Sequence, residues 1–145
     1  QAYISASACA PRCRRGGCNM GAGSSDISST NSPVEPVILH IYDAGSAGSL
    51  RTLNKVLRQL GTGIYHCGVE VYGREWSFGA EGVFCTQPRS SFGYPHFESI
   101  PMGKTSITNE QVLHFMMLSK KEDWTGADYN LLEHNCCHFC DELCR

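Results

Sequence analysis

The run Gly63-Ile-Tyr-His66-Cys-Gly-Val-Glu-Val-Tyr-Gly73 leads straight into Arg74-Glu-Trp-Ser-Phe-Gly79. No other part of this chain limits its fold as much. β-Branched and aromatic residues recur along both halves, and Gly73-Arg74 breaks them, so they read as two strands of a hairpin. A lone hairpin is barely stable in water, so more strands must join it. Val37-Ile-Leu-His-Ile-Tyr42, Val83-Phe-Cys-Thr86 and His96-Phe-Glu-Ser-Ile100 supply them, with a loop from Pro88 to Pro95. Strand alternation puts Tyr65, Cys67, Val69, Val71 and Gly73 on one face. Ile64, His66, Gly68, Glu70 and Tyr72 fall on the other, the more polar, cleft-like one. Gly68 leaves room there for a substrate backbone.

Three helices are expected. After a turn at 43–48, Leu50, Leu53, Val56, Leu57 and Leu60 form one stripe. Ser49 suits an N-cap and Gly61 a stop, with Arg51, Lys55 and Arg58 on the wet side. Thr108-Asn-Glu-Gln111 is a capping box that opens a helix to about Lys121, burying Val112, Phe115, Met116 and Leu118. In the last helix Cys136, Phe139, Cys140, Leu143 and Cys144 share a face. The fold class is therefore α+β, a small antiparallel-rich sheet packed with helices.

Residues 1–35 are rich in Ser, Ala and Gly and have no periodicity, so they read as a disordered tail. Within it, Cys13-Arg-Arg-Gly-Gly-Cys18 could serve as a lipidation or metal site, but with so few ligands and no flanking structure it reads as part of the disordered extension. The folded domain is 36–145. Its last helix is cut short at Arg145, and the chain does not begin with Met, so the sequence reads as truncated or processed. A net charge of −2 gives no electrostatic case for nucleic acid or anionic membranes. No apolar run approaches the roughly 20 residues of a membrane span. Residues 1–10 lack the positive flank of a secretory signal. Nine cysteines is an odd count, and Cys136, Cys137, Cys140 and Cys144 are too crowded to pair with one another. Reduced thiols in a reducing compartment, cytoplasmic or nuclear, fit better.

The chemistry centres on Cys136 and His66. A cysteine on a helical core face is ordinarily a small hydrophobe, and a strand histidine is ordinarily structural. Asn135, however, is a good N-cap and puts Cys136 at the first helical position. There the helix dipole favours a thiolate, and backbone N–H groups can receive an oxyanion. A nearby imidazole would complete a cysteine hydrolase.

The blocks Tyr65-His66-Cys-Gly68-Val69-Glu70-Val71-Tyr72-Gly73-Arg-Glu75-Trp76-Ser-Phe78-Gly79 and Tyr129-Asn-Leu-Leu-Glu-His-Asn135-Cys136-Cys-His-Phe139 closely resemble the PPPDE family. These are permuted-papain-fold peptidases that include the desumoylating isopeptidases. The likeness covers about 36–145. It implies a permuted papain-like fold with no cofactor, and a catalytic dyad of His66 and Cys136. It also implies cleavage of a ubiquitin-like modifier, SUMO or ubiquitin, from target lysines. Cys67, Cys137 and Cys140 stand where the family usually has a small hydroxyl residue, Asn and Ser. These extra thiols would expose the site to oxidation. The group that orients His66 and the oligomeric state are not legible.

Two other classes stay open. A protein S-acyl thioesterase would use the same dyad with an apolar groove. A non-catalytic module would bind metal or partners through Cys136, Cys137, His138, Cys140 and Cys144, although no second ligand pair sits at the usual spacing unless Cys13 and Cys18 fold over. Glu70 and Glu75 are expected at solvated positions, and His40, His96, His114 and His134 at structural or exposed ones.

Overall fold

The computed structural model describes residues 3–5, 34–45, 50–60, 62–91 and 93–145. Most of the expected tail, together with Ser49 and Gly61, lies outside these. The elements run β1 (Tyr3–Ser5), β2 (Glu35–Asp43), α1 (Leu50–Gln59), β3 (Thr62–Val71), β4 (Arg74–Gly79) and β5 (Gly82–Thr86). They continue with β6 (His96–Thr105), α2 (Asn109–Ser119), a 3-10 turn (Gly126–Asp128) and α3 (Cys136–Leu143). The sheet order is β5-β4-β3-β2-β6, antiparallel throughout. β1 pairs with the start of β3. The α+β expectation holds.

The β3–β4 hairpin turns on Tyr72 and Gly73, not Gly73-Arg74. Both residues have positive φ, 53° and 66°, as a two-residue primed turn requires. Cross-strand register then sorts the faces. Leu39 pairs with Val69 and Ile41 with Cys67, and Tyr42 pairs with His66. The first face is apolar and packs with Val112 and Met116 of α2 and Phe139 and Cys140 of α3.

The other face is polar but buried. His40 is fully buried and meets Glu70 Oε2 at 2.6 Å and Ser99 Oγ at 2.9 Å. Glu75 is not solvated as expected. It is 0% exposed, and the Tyr42 hydroxyl donates to its carboxylate oxygens at 2.6 and 2.7 Å. The backbone N–H of Arg89 adds a third bond at 2.8 Å. The hairpin puts Glu75 on the Tyr42 face, and the segment after β5 closes over it.

The helical stripes also depart from expectation. Among the described side chains of α1 the buried one is Asn54; Leu57 is half-buried, whereas Leu53, Val56 and, just past the helix, Leu60 are exposed. Asn54 binds Asp43 Oδ1 at 2.5 Å and takes the Ile64 N–H at 2.7 Å, clipping the helix to the sheet. Arg58 leaves the wet side to reach Asp43 at 2.7 Å and lies over the Phe97 ring at 4.5 Å. In α2 the capping box forms as expected, but only Val112 and Met116 of the expected face are buried; Phe115 and Leu118 are exposed.

Candidate active site

α3 begins where Asn135 leaves the extended backbone, at φ −130° and ψ −174°. Its Oδ1 accepts from the N–H groups of Cys137 (2.9 Å) and His138 (3.4 Å), and its Nδ2 donates to the Leu131 carbonyl at 2.8 Å. Those first-turn donors have no helical partner, so the cap fixes where the helix starts. Cys136 is its first residue. The approach to α3 is anchored by Phe78 of β4, whose ring meets Trp124, Tyr129, His134 and Phe139 at centroid distances of 4.9, 5.3, 5.4 and 6.2 Å.

His66 comes from β3 and is 8% exposed. The β3–β4 ladder pairs residues only from Val71↔Arg74 to Val69↔Trp76. Beyond it a side chain takes over from the backbone. The Ser77 hydroxyl donates to the Cys67 carbonyl at 2.5 Å and lies 2.9 Å from His66 Nε2. A serine hydroxyl has one proton, and the carbonyl takes it, so Ser77 can only accept from the ring. Nε2 of His66 therefore carries a proton, which leaves Nδ1 as the ring nitrogen able to exchange one. Phe84 stacks nearly parallel to the ring, at 13° and 6.1 Å, and Tyr42 and Tyr94 flank it.

The two sequence-derived residues meet. Cys136 is 2% exposed, and its thiol is held well below the ordinary range. Hydrogen bonds from Cys137 and Cys67 contribute most, against the opposing effect of burial; a hydrogen bond with His66 and the charge of its ring add to them. A thiolate in this setting is surrounded by donors, which favour the charged form. Cys67 and Cys137 place their sulfurs 3.4 Å apart. Burial, with the charges of Cys136, Cys137 and Cys67, pushes the Tyr129 phenol up to about 12.

Such a constellation, a capped helix-terminal thiol against a strand histidine, invites comparison with known proteins. Residues 35–145 match the family described as "PPPDE putative peptidase domain". The chain belongs to the PPPDE peptidase family. It is 34% identical over 125 residues to a DeSI-like protein of Arabidopsis thaliana, covering 82% of this chain and 52% of that protein. It is 33% identical over 110 residues to desumoylating isopeptidase 1 of Homo sapiens, covering 74% of this chain and 64% of that one. A desumoylating isopeptidase 1 homolog of Caenorhabditis elegans is 31% identical over 129 residues, 83% of this chain and 36% of its own. The chain thus spans less than two thirds of the length of each of these relatives.

Within this PPPDE domain the sequence reading missed Ser77. Its one signal was register: Ser77 lies two residues beyond Glu75, on the strand face that carries His66. The thiol grouping also differs from the helical reading. Cys140 and Cys144 are outside it, and Cys67 from β3 joins Cys136 and Cys137 instead. Two residues adjacent on a helix point about 100° apart, so a third ligand close to both has to come from another element. Among the described residues no helix is long and apolar enough to cross a membrane.

Proposed function

We propose that this chain is a cysteine isopeptidase that removes a SUMO-type modifier from lysine side chains, with Cys136 as nucleophile and His66 as its proton partner. The observation that carries this reading is the hydrogen bond between His66 and a Cys136 thiol already held low at the N-terminus of α3. The substrate class comes from the relatives, named desumoylating isopeptidases.

The steps follow from the groups present. The Cys136 thiol passes its proton to His66 Nδ1, and the sulfur attacks the isopeptide carbonyl. Asn135 already occupies the Cys137 and His138 N–H groups. The cap leaves the Cys136 N–H for the negative oxygen of the tetrahedral intermediate. Imidazolium His66 then protonates the departing lysine amine as the C–N bond breaks. Water, deprotonated by the same ring, hydrolyses the thioester and restores the thiol. Ser77 holds Nε2 throughout, so the ring keeps one tautomer facing the sulfur.

The test is cleavage of a SUMO–lysine conjugate by the full chain, with the ubiquitin conjugate in parallel. Cys136→Ala and His66→Ala should each lower turnover by about 100-fold or more while the circular dichroism spectrum is unchanged. Full activity in folded Cys136→Ala would overturn the assignment. Faster cleavage of the ubiquitin conjugate would overturn the modifier.

A further inference from the structure

The catalytic reading uses one sulfur, yet three meet at the site. Sγ atoms of Cys67, Cys136 and Cys137 all lie within 4.8 Å of one another, with Cys67 and Cys137 at 3.4 Å. Cys67 is 0% exposed and Cys136 2%, while Cys137 is half-buried, so the cluster opens toward solvent on the Cys137 side. Thiolates are soft ligands that select closed-shell thiophilic cations. Zinc–sulfur bonds of about 2.3 Å at a tetrahedral angle set sulfurs roughly 3.8 Å apart. The observed spacing needs only small side-chain adjustments to reach that. Two rigid elements supply the ligands, β3 one and the first turn of α3 two, and the helix dipole stabilises their negative charge.

We infer that Cys67, Cys136 and Cys137 form a three-thiolate site for a thiophilic d10 cation such as Zn2+, and that the bound ion silences the enzyme by occupying its nucleophile. Three protein ligands leave the fourth position to water. Each thiol releases its proton to solvent as its S–metal bond forms, and no electron moves. Binding does not depend on Cys136 being catalytic; only the effect on turnover rests on that reading.

A disulfide is the competing use of the same sulfurs. It would need Cys67 and Cys137 to close from 3.4 Å to about 2.05 Å and would need an oxidant. A phosphine reductant removes that possibility from the experiment.

The full chain, reduced and demetallated, is titrated with Co2+ as a spectroscopic stand-in, followed by Zn2+. One equivalent should give a sulfur-to-cobalt charge-transfer band that Zn2+ abolishes. Cys67→Ser and Cys137→Ser should each remove roughly a third of its intensity, one ligand in three. A variant with Cys9, Cys13 and Cys18 all changed to Ser should keep the band. One equivalent of Zn2+ should inhibit conjugate cleavage by wild type, and chelation should restore it. The Cys67→Ser/Cys137→Ser variant should resist the same dose. A band that survives in that double variant, or that vanishes with the tail cysteines, overturns the site. So does equal Zn2+ inhibition of wild type and double variant. If no conjugate is cleaved at all, the band still decides the site, and only the catalytic reading fails.

Discussion

Ser77 is a small residue with a directing role, because its one proton goes to the Cys67 carbonyl and its lone pair then dictates where His66 carries a proton. Ser77→Ala should lower kcat by about 10-fold with little change in KM, since the ring loses tautomer and orientation but not substrate contacts. Ser77→Thr should recover most of it. Nitrogen-15 shifts of His66 should show Nε2–H in the wild type and a mixture in Ser77→Ala; an unchanged tautomer would remove the argument. The second residue-scale consequence concerns pH. A free thiol titrates at about 8.5. Cys136 lies well below its ordinary value, so its thiolate persists as pH falls through that region. Cys85 moves the other way, because desolvation of its sulfur outweighs the pull of Arg74. With chelator present, iodoacetamide labelling of Cys136, read by mass spectrometry against its own plateau, should fall off only below about 8.5, and that of Cys85 only above it. Matching midpoints would contradict the depressed thiol. Cys136 and His66 can be singled out as candidates from sequence because a cap signal and a motif sit in contiguous residues. Ser77 cannot, because its role depends on where β4 stops pairing with β3.

At the scale of elements, the start of α3 decides how the thiol is presented. Asn135 is 2% exposed and bonds two first-turn N–H groups and the Leu131 carbonyl. Asn135→Ala should lower the unfolding free energy by about 1–2 kcal/mol in urea melts, the usual size of a lost N-cap. It should also raise the labelling midpoint of Cys136, since the first turn frays and its N–H groups no longer converge. A variant as stable as wild type would mean that the aromatic anchor around Phe78 alone sets the helix. Caps of this kind can be read from local sequence, and both Thr108 and Asn135 behave as expected. Stripes cannot be read so far. Leu53, Val56 and Leu60 show that α1 has an apolar side, but periodicity does not say whether anything covers it. The side chain that ties α1 down is polar Asn54, because Asp43 and the Ile64 backbone offer it partners that only the folded sheet brings together.

Across the whole molecule, the sheet separates an oily face from a hydrogen-bonded one, and Glu75 carries much of the second. Its carboxylate gathers the Tyr42 hydroxyl from β2 and the Arg89 N–H from the segment after β5. Burial and the facing carboxylate push the Tyr42 phenol far above its usual range, so it is a hydrogen-bond donor at neutral pH. The sequence hid this, since a glutamate in a hairpin ordinarily faces water, and only the closing loop makes it otherwise. Tyr42→Phe keeps the ring and removes the donor, leaving a buried charge short of a partner. The expected loss is about 2–3 kcal/mol in a denaturant titration, the size of a hydrogen bond to a charged group. Pairing it with Glu75→Gln tests the cause. If the stranded charge is what costs stability, the double variant should lose less than the two single losses added together. Strict additivity would mean that Tyr42 and Glu75 stabilise the fold separately, and that the polar face is not one network.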